Sequence, residues 1–136
     1  MDADAKMTCK KLKSPEEWFI QAFYDLDTAD VIFETGRYMY TVFMCHLSIE
    51  KALKGLYTKK LEEIPPKTHS LIYLAEKIGI QMPENLYDFV FSLNRVSVPT
   101  RYPDDLKRIL KDYNKDITKE ILTKSKDVLE WLKERL

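Results

Sequence analysis

The chain predicts an all-α fold, an up-down antiparallel helical bundle of four long helices plus a short one. Three observations lead there. Apolar residues recur at three- and four-residue steps in several separate stretches, and no run of useful length alternates as a half-buried strand would. Three glycines in 136 residues leave long helices little interrupted, and the six prolines fall at the edges of the periodic stretches. The composition, 45% apolar and 32% charged, is that of one globular domain long enough to bury a core.

Residues 1–13 show no amphipathic period and read as a flexible N-terminal tail, so the domain is expected over residues 14–136. Ser14-Pro15-Glu16-Glu17 starts the first helix with a capping hydroxyl, a proline in the first turn and acids favoured by the helix dipole. Trp18, Ala22, Leu26, Ala29 and Phe33 carry its apolar stripe to a stop at Gly36. A second helix follows from about Tyr38 to Lys60, and the tight connection makes the two antiparallel neighbours. Its stripe is Val42, Cys45, Ile49, Ala52, Leu53 and Leu56, with Glu50, Lys51 and Lys54 beside it. Pro65-Pro66-Lys67-Thr68-His69 is a connector, and Ser70 or Thr68 caps a short helix through Leu71, Leu74, Ala75 and Ile78, closed by Gly79. Pro83-Glu84 opens a helix of Leu86, Phe89, Val90 and Leu93 that finishes before Pro99. Thr100 to Asp105 is expected to be irregular, and the last helix runs from about Asn114 to Leu136.

Several function classes are excluded early. The longest uncharged run, residues 38–49, is shorter than the roughly 20 apolar residues of a membrane span, and the N-terminus lacks the apolar core of a secretion signal. Cys9 in a polar tail and Cys45 on an apolar helix face suggest a reduced pair, so a cytoplasmic protein is expected. Scattered glycines cannot build a phosphate loop. Net charge is zero but segregated: residues 14–36 hold six acids and no base, and residues 107–136 hold nine bases against six acids. Such a field either steers an anionic ligand or lets an acidic helix pack beside basic ones.

The chemistry-bearing positions each admit two readings. His46 and Glu50, four apart, could be two metal ligands or a base and its orienter. Zinc needs three or four ligands, however, and only one other histidine exists, so no metal or cofactor is expected and His46 reads as a structural neighbour. Glu50 and Lys54 form an ordinary helical ion pair worth a few tenths of a kcal/mol. His69, just ahead of a helix, either caps backbone groups or binds a phosphate with nearby amides. Arg101-Tyr102, held between Pro99 and Pro103, suits a phosphate and a stacked base. Alternatively Tyr102 packs on the bundle and Arg101 pairs Asp104 or Asp105.

Taken in order, Trp18, Ala22, Asp25-Leu26 and Ala29, then Glu50-Lys51-Ala52-Leu53-Lys54, then His69-Ser70-Leu71 and Arg101-Tyr102-Pro103 form a series that resembles the HEPN family of small helical domains. The resemblance covers roughly residues 14–136. It implies a bundle that usually forms a homodimer and commonly works beside a minimal nucleotidyltransferase, often as a two-component toxin–antitoxin system. Other members are associated with nucleotide or RNA binding. RNA-cleaving members share an Arg-x(4–6)-His motif, and here it is missing. Arg37 meets Val42, Phe43 and Met44 at those offsets, Arg95 meets Thr100, Arg101 and Tyr102, and no histidine follows His69. Fold-level analogy therefore imports no ribonuclease activity.

The expected function is a non-catalytic or weakly catalytic nucleotide- or RNA-binding module, working as a homodimer and with a nucleotidyltransferase partner. Lys51, Lys54 and Arg101 would meet phosphates, Tyr102 would stack, and Glu50 and His69 would orient the site. The rivals are a metal-independent endoribonuclease using His69 and Arg101, and a purely structural helical subunit.

Overall fold

The computed structural model describes residues 12–136, the side chains of Ser97 and Val98 excepted. Residues 1–11, most of the expected tail, and with them Cys9, lie outside the described residues. All regular structure among the described residues is helical: α1 (Pro15–Glu34), α2 (Tyr38–Leu61), α3 (Leu71–Ile78), α4 (Glu84–Asn94), α5 (Ser97–Arg101), α6 (Leu106–Asp112) and α7 (Lys115–Lys133).

Local chemistry sets most of the boundaries. Ser14 Oγ accepts from the Glu17 N–H at 3.1 Å, Ser70 Oγ from Tyr73 N–H at 3.1 Å, and Asn114 Oδ1 from Ile117 N–H at 3.0 Å. Gly36 and Gly79 take φ of +81° and +73°, which close α1 and α3 in the left-handed region. The segment expected to be irregular is partly helical. Pro99 is accommodated in the single short turn of α5, where a missing N–H costs little. Asp105 then caps α6 by accepting from Arg108 N–H at 3.2 Å.

α1 and α2 pack antiparallel along their lengths. The Phe33 and Tyr38 rings meet at 5.5 Å beside the connection, Ser48 Oγ donates to the Ala22 carbonyl at 2.7 Å, and Gly55 faces Trp18 and Phe19 at the far end. α7 lies across both, burying Val128, Leu129 and Leu132 completely. α3 and α5 close on the remaining side of α2, so that helix is the central one. Its apolar stripe is buried as the sequence predicts, and so are His46, Glu50 and Lys54. The segregated charges serve packing: Lys126 Nζ reaches Asp30 at 2.8 Å and Lys51 Nζ reaches Asp25 at 2.8 Å. Among the described residues no helix is long and apolar enough to cross a membrane.

The α1–α2 contact sets a steric limit at Gly55 that is absent at Gly36. A Cβ at Gly55 would stand 2.9 Å from the Phe19 ring and 3.0 Å from Trp18 Cβ, an atom fixed to backbone. At Gly36 a Cβ meets nothing within 4 Å, and only the positive φ resists substitution. Gly55→Val is expected to lose about 2–3 kcal/mol through overpacking, and Gly36→Ala about 1–2 kcal/mol through backbone strain alone. Urea denaturation of the two variants checks the order.

Candidate functional site

The polar centre of the molecule is built outward from Glu50, halfway along α2 and 3% exposed. A buried carboxylate requires partners. One turn along the helix, Lys54 Nζ lies 3.0 Å from Glu50 Oε2. From the 62–70 connector, His69 Nδ1 lies 2.9 Å from Glu50 Oε1. On the other edge of that imidazole, Arg101 Nη1 lies 3.2 Å from His69 Nε2. Arginine only donates, so Nε2 accepts and the ring proton resides on Nδ1, donated to Glu50. Lys54, Glu50, His69 and Arg101 thus form one row from the interior to the surface, where the His69 side chain is about half exposed.

The charges along this row do not cancel. Glu50 is balanced by Lys54, whereas Arg101 makes no ion pair among the described residues. Its guanidinium lies over the Phe43 ring at 4.7 Å, and its Nε is buried without a hydrogen-bond partner. One surplus positive charge therefore stands at the mouth of the row. Beside it an open cleft of about 310 Å³ is lined by Tyr40, Phe43, Thr100, Arg101 and Tyr102. A roomier hollow of about 530 Å³ between α4 and α7 includes Asp88, Glu120 and Lys124 but neither His69 nor Arg101. The cleft at Arg101 is the one joined to the buried Glu50–His69 row.

Of the six residues singled out from the sequence, Glu50, Lys54, His69 and Arg101 meet directly, and Tyr102, 75% exposed, adjoins them across the cleft. Lys51 points elsewhere, its ammonium 2.8 Å from Asp25 on α1. Lys54 is directed inward onto Glu50, so their ion pair is a buried one rather than an exposed helical pair. The capping reading of His69 does not hold, since Ser70 caps α3 and His69 reaches back to α2. Asp105 is occupied in capping α6, and Arg101 pairs with His69 instead.

Tyr40 and Phe43 are site residues that the sequence reading passed over. A signal was available: Tyr40, Phe43, His46, Glu50 and Lys54 form a second stripe along α2 at three- and four-residue steps.

His46 lies beneath this row, 1% exposed, with Nδ1 3.9 Å from Glu50 Oε1 and neither ring nitrogen hydrogen-bonded. Burial pushes its pKa down to about 4; the Glu50 carboxylate opposes that shift, and the Arg101 charge adds to it. Among the described residues no three His, Cys, Asp or Glu side chains are gathered to hold a metal ion. Burial drives the Cys45 thiol up to about 12, which leaves it unreactive near neutrality.

Residues 15–136 match the family model of the HEPN domain. The chain belongs to the HEPN family. Two solved structures share the fold of this HEPN chain at 26% identity, each alignment covering 90% of this chain and 98% of the other. One is TT1696 from Thermus thermophilus, at a TM-score of 0.79, and the other is ST0689, an archaeal HEPN homologue, at 0.73. No curated protein matches the chain.

The buried histidine gives this HEPN domain a defined acid sensitivity. Folded His46 titrates near 4 against an ordinary 6.5, so the unfolded chain takes up the proton first as pH falls. Stability contributed by the neutral ring is complete above about pH 6.5 and declines toward pH 4. Between pH 7 and pH 5 the decline amounts to about 2 kcal/mol. His46→Leu should lose that much less over the same interval, as measured by urea denaturation at both pH values.

Proposed function

We propose that the chain is a nucleotide- or RNA-binding HEPN module that holds a phosphate on Arg101, which His69 positions. The observation that carries this reading is the surplus guanidinium: Arg101 is held at the surface by His69, itself anchored on buried Glu50, and has no carboxylate of its own among the described residues. Such a cation is matched by a ligand oxygen, and arginine suits a phosphate bidentately. In this reading Glu50 orients His69, Lys54 neutralises Glu50, and Tyr102 stacks beside the phosphate. Lys51, engaged by Asp25, takes no part.

The same reading places the module in the cytoplasm as a homodimer and as partner of a minimal nucleotidyltransferase in a toxin–antitoxin-like pair. Family membership supports the pairing, and Ile20, Tyr24 and Val31, at 65%, 72% and 65% exposure, leave an apolar outer face on α1 that suits contact with another chain.

A second reading, metal-independent cleavage of RNA, is favoured by one specific contact. Glu50 fixes the His69 tautomer at 2.9 Å, which leaves Nε2 as the basic edge. If Arg101 moved onto a phosphate, that edge could accept the proton of a ribose hydroxyl.

Isothermal titration of the protein with nucleotides and short RNA, repeated with Arg101→Ala, tests the first reading. Binding should fall about tenfold or more in the variant, as expected for a lost charge-assisted contact. Equal binding by both forms would remove the site, and absence of binding by either would leave a structural subunit. Incubating the RNA with a chelator present separates the readings, because a binding module leaves it intact.

A further inference from the structure

We infer that the cleft beside Arg101 is a nucleobase subsite, in which one unpaired base stacks on Tyr40 and Tyr102 while its phosphate rests on Arg101. The inference rests on the phosphate reading above and names the ligand it takes, a single-stranded oligonucleotide. Tyr40 projects from α2 and Tyr102 from the turn after α5, so the two rings are carried by separate elements on one cleft. They are 52% and 75% exposed, so both ring faces are open to a ligand. Phe43 lines the same cleft and is itself covered by the guanidinium at 4.7 Å. Cation and aromatics are therefore one unit, the pairing that single strands meet through phosphate and base face together.

Size and continuity narrow the ligand further. About 310 Å³ lies at the low end for ligand pockets and is room enough for one base. In a duplex the base faces are already stacked, so only an unpaired base presents a face to tyrosine. The cleft does not end there. Tyr40 also lines a neighbouring hollow of about 430 Å³ that continues to Leu106, Leu110 and Arg37. Arg37 is another cation in no ion pair among the described residues. A strand leaving the base subsite past Tyr40 meets that charge next.

The test uses the full chain and three probes: a six-nucleotide RNA carrying 2-aminopurine, the same strand annealed to its complement, and an abasic strand of equal length. Tyr40→Ala/Tyr102→Ala should weaken the single strand about tenfold or more and abolish 2-aminopurine quenching, while abasic binding is unchanged. Tyr40→Phe/Tyr102→Phe keeps the ring faces and should restore both. Because the substituted rings are exposed, unchanged thermal unfolding verifies the fold. Arg101→Ala should weaken single and abasic strands alike. Duplex binding as tight as single-strand binding would overturn the inference, as would equal loss of both strands in the double alanine variant. In either case, loss on Arg101→Ala leaves the phosphate reading standing. If Arg101→Ala changes neither strand, or the native chain binds none, both readings fall.

Discussion

A carboxylate withdrawn from water in the middle of the central helix is the constraint around which this HEPN domain is arranged. Glu50 is 3% exposed, and an ion so placed is tolerated only with opposite charge and donors close by. Lys54 supplies the charge from the same helix at 3.0 Å, a spacing that any α-helix provides. The remaining oxygen is met by His69, nineteen residues away. That contact fastens the connector after α2, and through Ser70, which caps α3, it fixes where the next helix begins. Arg101 is then positioned by the imidazole, which ties the short turn of α5 to the same carboxylate.

Neutrality of His46 keeps this arrangement balanced. Its ring lies 3.9 Å from the carboxylate, close enough that a proton there would compete with His69 and Lys54 for the same charge. Desolvation prevents the competition by holding the ring uncharged at neutral pH. Glu50 is thereby left to anchor His69, and the positive charge of the row collects at Arg101. An arrangement with a second cation beside Lys54 at Glu50 would place a surplus in the core; here the surplus is at the surface, where an anion can reach it.

The parts of the fold that were legible in sequence are those governed by local chemistry. Ser14-Pro15, Ser70 with Gly79, and Asn114 each satisfy or terminate a helix end within four residues, so their spelling alone places the boundaries. The α6 segment carried a signal that was passed over: Asp105 as a cap and Leu106, Ile109 and Leu110 at i, i+3 and i+4 spell a helix, but one too short for that stripe to stand out. The burial of Glu50 and Lys54 was hidden. Viewed within α2 alone they sit beside the apolar stripe like a solvated face; only the arrival of α3 and α5, distant in sequence, turns that face inward. The same blindness separated Glu50 from Lys51. One residue along a helix is a rotation of about 100°, enough to send Lys51 to Asp25 on α1 while Glu50 faces the site.

The chain lacks the Arg-x(4–6)-His motif but brings another arginine and histidine together, at a separation no local motif spans. A pair written four to six residues apart is held together by one stretch of backbone, whatever the rest of the molecule does. His69 and Arg101 are 32 residues apart and belong to a connector and a short turn, yet they lie within 3.2 Å. Their adjacency depends on the Glu50 anchor instead of on helix geometry, so the surface pair is only as rigid as the buried charge is well paired. The hydrogen bond between them also orders events at the site. Nε2 of His69 is occupied while Arg101 donates to it, and a phosphate that draws the guanidinium away releases that edge of the ring. Under the proposed cleavage reading, anion capture would therefore come before any proton transfer by His69, and the arginine proposed to bind the ligand would be the group that uncovers the proposed base.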